Sequence, residues 1–66
     1  MKLGNVMIEN SVITIGSQKV GTANQDFRFG YHPSIRVTVG EAETWFELDA
    51  SDLLAKVANF ARDNTL

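Results

Sequence analysis

The chain has 66 residues, a net charge of −2, a hydrophobic fraction of 44% and no cysteine. That length fits one domain, residues 1–66, which buries only roughly 60% of its unfolded-chain surface. Disulfides and thiolate metal sites are excluded, no apolar run reaches membrane-spanning length, and the charge gives no long-range attraction to nucleic acid or anionic lipid.

Val6-Met7-Ile8 and Val12-Ile13-Thr14-Ile15 are β-rich runs around Asn10-Ser11, the pattern of a hairpin with a two-residue turn. Ile8 then pairs with Ile13 and Val6 with Ile15, all on one face. Gly16-Ser17-Gln18 breaks the strand. Lys19 to Asn24 is ambiguous: Val20 and Thr22 favour a strand, Gly21 and Asn24 weaken it, and a bulge or loop is expected near Asn24.

In the middle of the chain Phe27, Phe29 and Tyr31 alternate with Arg28 and Gly30, and Ile35, Val37 and Val39 alternate with Arg36 and Thr38. Centring the turn-rich link Gly30 to Ser34 on His32 pairs Phe29 with Ile35 and Phe27 with Val37. Gly40 to Glu43 is the next connection, and it pairs Val37 with Phe46 and Ile35 with Leu48. Both registers turn the same residues inward, and a one-residue slip would invert a whole strand. The last element is a helix over Asp49 to Arg62. Leu53, Leu54, Val57, Phe60 and Ala61 form its apolar stripe, with Asp52, Lys56, Asn59 and Asp63 opposite. Asp49 or Ser51 is the expected cap, and Asp52 and Arg62 complement the dipole.

Strands followed by a helix give an α+β fold. The expected form is a mostly antiparallel sheet of four to five strands with one C-terminal helix packed on one face. Phe27, Phe29, Ile35, Val37, Phe46, Leu48, Ile8, Ile13 and Ile15 supply the sheet side of the core.

The face without the helix then carries Met7, Val12, Thr14, Arg28, Arg36, Thr38, Trp45 and Glu47. Arg28 lies opposite Arg36, Arg36 opposite Glu47, and Trp45, the only tryptophan, beside Thr38. Trp, Tyr and Arg are enriched at binding hot spots, so Arg28, Arg36, Thr38, Trp45, Glu47 and Tyr31 are candidate contact residues. Against this stands a solvated sheet face with an ordinary cross-strand ion pair. Glu41 and Glu43 open an acidic run that could meet a basic partner, or simply solvate a turn.

Catalysis finds little support. His32 is the only histidine and sits beside Pro33, and Ser17, Ser34 and Ser51 fall at turns or caps. Glu41 and Glu43 in one short turn cannot supply the six or more oxygens calcium takes. Gly16 to Thr22 lacks the lysine of a phosphate loop. No enzyme activity, cofactor or metal is expected.

Two function classes follow. The first is a protein-binding module, an inhibitor or adaptor such as a phage-type antagonist of a larger host machine, with homodimer formation as a corollary. The second is a single-stranded nucleic-acid binder using Arg28, Arg36, Lys19, Trp45, Tyr31 and His32. Trp45-Phe46-Glu47-Leu48-Asp49 running into Leu53-Leu54 resembles the single-strand-binding fold of the positive-cofactor family of transcription coactivators. The resemblance covers the last third of the chain and implies a basic sheet, where this strand carries Glu47. Six basic against eight acidic residues favour the protein partner over nucleic acid. The N-terminal Met1 to Asn5 has no signal-peptide core, so the expected location is cytoplasmic, without a membrane partner.

Overall fold

The structure, a computed structural model, describes residues 1–65. Its elements are β1 (Lys2–Leu3), β2 (Val6–Glu9), β3 (Val12–Ile15), β4 (Gln18–Arg28), β5 (His32–Val39), β6 (Ala42–Glu47) and α1 (Leu53–Asn64). The strands form one antiparallel sheet in the order β1-β2-β3-β4-β5-β6, and the helix follows. The class is α+β, with a sixth strand supplied by the two-residue β1. No helix among the described residues is long and apolar enough to cross a membrane.

Short links fix the registers. Asn10 and Ser11 both adopt left-handed φ, 52° and 65°, as a type I′ turn requires. Ile8 accordingly pairs with Ile13 and Val6 with Ile15, as the sequence implies. At the β5–β6 link the connection is two residues, Gly40-Glu41, not four. Gly40 has φ +60°, which lets a tight turn follow the strand twist, so Ile35 pairs with Phe46 and Val37 with Thr44. This register differs from the expected one by two residues, and so keeps every side chain on its expected face.

The β4–β5 register also shifts by an even step. The link is Phe29-Gly30-Tyr31, centred on Gly30 (φ +83°) and not on His32. Gln25 pairs with Ile35, Ala23 with Val37, and Phe27 with Pro33. Pro33 lies past the last β5–β6 pair, Ser34 with Glu47, near the strand start where a missing N–H is tolerated. Residues 19–24 belong to one long strand. The bulge falls at Val20, between the pairs Thr14–Lys19 and Ile13–Gly21, and not near Asn24.

The core lies between the sheet and α1. Val6, Ile8, Ile13, Ala23, Ile35, Val37 and Val39 are buried from the sheet, and Val57, Ala58 and Ala61 from the helix. Leu53, Leu54, Phe60, Phe46 and Leu48 pack around them. Phe46 meets Phe60 edge-on, with ring centroids 6.3 Å apart, a favourable aromatic geometry. The expected stripe is present, and Ala58 joins it. The helix begins later than its sequence pattern implies, at Leu53. Asp52 is the N-cap residue without a side-chain hydrogen bond, and the first turn holds no acidic residue. Glu47 to Ala50 and Ala50 to Leu53 form successive turns that lead into it instead. At the other end the Arg62 guanidinium donates to the Leu3 carbonyl at 3.3 Å, tying the helix to β1.

Two expected core residues are not in the core. Phe27 has the inward parity but lies beyond the part of the sheet that the helix covers, and Phe29 is in the loop. They are 60% and 73% exposed.

Candidate interaction surface

The registers decide which outer-face residues meet. Arg36 lies opposite Asn24 on one side and Trp45 on the other. Its guanidinium sits 5.8 Å from the Trp45 ring centroid, within cation–π range. Arg28 lies opposite His32, not opposite Arg36, so the expected repulsion between arginines does not arise. Glu47 is not opposite Arg36 either: it pairs with Ser34, and its carboxylate stands 3.6 Å from the His32 Nε2. Asp26 takes the place expected of Glu47, 3.9 Å from Arg36. Thr38 faces Glu43 and Thr22, with Trp45 two positions further along β6.

Tyr31, Arg28, His32, Trp45 and Glu47 come together at one end of the sheet, where they line a cleft of about 280 Å³ with Phe29 and Ser34. Ser34 is a strand residue, not a turn residue, and is 1% exposed at the base of the cleft. Its hydroxyl donates to the His32 carbonyl at 3.0 Å, so its burial is compensated. Glu41 and Glu43 are not part of this group. Glu41 sits in the β5–β6 turn and Glu43 near it at the start of β6, and β5 runs its whole length between that turn and Tyr31. The acidic run is therefore split between two ends of the domain. Among the described residues no group of three or more His, Asp or Glu is placed to hold a metal ion.

The rim of the cleft is the β4–β5 tip. Tyr31 is 76% exposed, its ring 6.5 Å from that of Phe29, and the Arg28 guanidinium lies 4.9 Å over the Phe29 ring. Phe29 has φ +60°, a region that costs a non-glycine residue about 1–2 kcal/mol. A strained, exposed aromatic does nothing for the core. Phe29→Gly is expected to raise folding stability by up to about 1 kcal/mol, because glycine's own conformational cost offsets part of the relief. Urea titration of the two proteins measures it, and a loss above about 1 kcal/mol would show that the ring supports the fold.

Phe27 and Phe29 are the residues that alternation misplaces. The signal that locates them is Gly30: a hairpin centred there carries both phenylalanines past the covered part of the sheet. No protein-family model matches the chain, and comparison with curated proteins and with solved structures gives no match.

Proposed function

We propose that the chain is a non-enzymatic binding module that engages a protein partner through the β4–β5 tip and the adjoining cleft, as a small inhibitor or adaptor does. The observation that carries this reading is Phe29 and Tyr31 standing exposed beside Trp45 around a single cleft. Interface anchors are most often aromatic or arginine, cluster centrally, and fill pockets on the partner. The mixed lining supports a protein surface: His32 and Glu47 offer polar contacts at the rim while the rings supply apolar area.

A photo-crosslinking residue in place of Tyr31 tests it in cells. The expected result is one discrete protein adduct, absent when the same residue replaces Glu41. Excess unmodified protein suppresses the adduct, whereas excess Trp45→Ala or Phe29→Gly competes at least about tenfold less well, the loss of one interface anchor. Equal competition by these variants overturns the reading.

One observation favours the second reading. Aromatic and basic side chains alternate along Phe27-Arg28-Phe29-Gly30-Tyr31-His32, and Arg28 forms no ion pair among the described residues. Base stacking with a phosphate contact uses such a tip. Trp45 is the sole tryptophan and lines the cleft, so its fluorescence reports occupancy. Micromolar quenching by a thymidine oligonucleotide that weakens steeply with salt replaces the protein partner with single-stranded nucleic acid.

A further inference from the structure

The cleft is not the only unsatisfied feature of the tip, because β4 also has an open edge. The last β3–β4 pair is Val12 with Thr22, and the Ala23 N–H is taken by the Ser11 carbonyl at 2.9 Å. From Asn24 to Arg28 the strand pairs only with β5. A strand edge of this kind is a template for another chain, and beyond the Ser34–Glu47 pair β4 and β5 continue as a two-stranded ribbon, which is marginal alone.

The residues on that edge are their own antiparallel complement. We propose that a second copy of this chain pairs here, β4 against β4, with the two-fold axis through Phe27. In that register Phe27 meets Phe27 of the second copy, Asp26 meets Arg28, and Arg28 meets Asp26. The ions share one face of the ribbon and the rings the other, since side chains alternate along a strand. Charge selects the register. The neighbouring symmetric alignments that keep the faces matched bring Asp26 against Asp26 or Arg28 against Arg28, and like charges directly opposite destabilise a sheet. Pairing centres on Asp26 to Arg28, where β4 ends, and stops short of Ala23, where the edge closes.

The surroundings are compatible with it. A hollow of about 280 Å³ beside Phe27, lined by Gln25, Pro33 and Leu48, leaves room for ring packing. Asp26 is held only loosely in the single chain, 3.9 Å from a half-exposed Arg36. It also accepts the Phe27 N–H at 2.8 Å, a local bond that the pairing exchanges for one to the Phe27 carbonyl of the second copy, which accepts the Gly30 N–H at 3.0 Å and has a second lone pair for the partner. The proposal concerns the strand edge, which shares Arg28 with the cleft, and the oligomeric state is read without any cleft ligand.

Sedimentation equilibrium of the full chain tests it. The wild type is expected to show a concentration-dependent mass rising from one chain to two. Asp26→Arg and Arg28→Asp each leave only repelling pairs and are expected to weaken association at least about tenfold. Mixed in equal amounts, the two variants restore opposite charges at both positions and are expected to form a heterodimer. The doubly substituted chain, Asp26→Arg with Arg28→Asp, is expected to dimerise again, which separates an interface effect from damage to the fold. A wild type that stays monomeric into the millimolar range overturns the proposal. So does a dimer indifferent to both single substitutions, or a mixture that fails to associate.

Discussion

Ile13→Ala is expected to cost about 2–5 kcal/mol of folding stability and to lower the melting temperature by about 10–30 °C. Ile13 is fully buried and is the largest side chain in that state. It pairs with Ile8 on β2 and with Gly21 on β4, so its side chain sits where β2, β3 and β4 meet below the helix. Gly21 has no side chain with which to fill the space left by truncation. The cost is therefore expected in the upper part of that range, because a site that cannot collapse keeps its cavity. A domain of this size has about 3–10 kcal/mol in total, so much of the folded population is at stake. The control is Phe27→Ala, which removes more carbon from a residue that sequence parity also places inward. At 60% exposed it should change stability by no more than about 0.5 kcal/mol. The comparison is made by urea unfolding at low micromolar protein, to keep self-association out of the measurement. If Phe27→Ala costs as much as Ile13→Ala, the tip packs into the core and the exposed surface described above does not exist.

That pair of residues also shows how much of the fold the sequence carries. Face assignment survives even where register does not. β5 and β6 slide by two residues relative to the turn-centred expectation, yet Ile35, Val37 and Phe46 still point at the helix and Arg36, Trp45 and Glu47 away from it. A period of two makes faces insensitive to even shifts. Position along the strand has no such protection. It depends on turn length, which here is set by Gly40 and Gly30 in left-handed φ. Consequently Trp45 is correctly placed on the outer face, while its partner is Arg36 and not Thr38. A separate shift between β4 and β5, which sets Phe27 opposite Pro33 and not Val37, takes Phe27 and Phe29 from the expected core to the tip. What overrides alternation there is the reach of the helix: twelve residues cannot cover an eleven-residue strand across a twisted six-strand sheet from end to end. The helix start was also not legible from its cap pattern. Asp49 and Ser51 are good capping types, but the chain spends Glu47 to Leu53 in two turns first.

The candidate surface is legible in part for the same reason. Arg28, Trp45 and Glu47 line the cleft at one end of the sheet, as outer-face parity implies, Arg36 stacks on Trp45 just outside it, and Tyr31 joins from the β4–β5 loop. Glu41 and Glu43 are close to Glu47 in sequence but separated from it along β6, since successive residues of a strand advance about 3.3 Å each. Charge proximity in sequence is thus a poor guide on a strand, where it is a good one on a helix.

Gly21→Ala is the substitution for which sequence reasoning and geometry disagree in sign. A glycine inside a strand normally weakens it by about 0.5–1 kcal/mol relative to alanine, so the exchange should help. Here a Cβ on residue 21 would clash with the Thr38 carbonyl oxygen and lie 2.9 Å from the Val39 Cγ2. The first of these is backbone, in the ladder that joins β4 to β5. It cannot retreat without lengthening the hydrogen bonds on which the central strands depend. On the other side Gly21 pairs with Ile13 immediately beside the Val20 bulge, so the strand has no freedom to move that way either. The expected loss is about 3 kcal/mol, at the upper end for overpacking because the contact is with main chain. Gly16→Ala serves as the reference. That position is open to solvent with nothing within 4 Å, and its φ of +65° alone predicts a loss of about 1–2 kcal/mol. Urea midpoints at equal slope give both values. A Gly21→Ala protein as stable as the parent would mean that β4 and β5 do not approach as closely as this register places them. The bulge at Val20, the alignment of Ala23 with Val37 and the overhang that exposes the tip would then all have to be redrawn together.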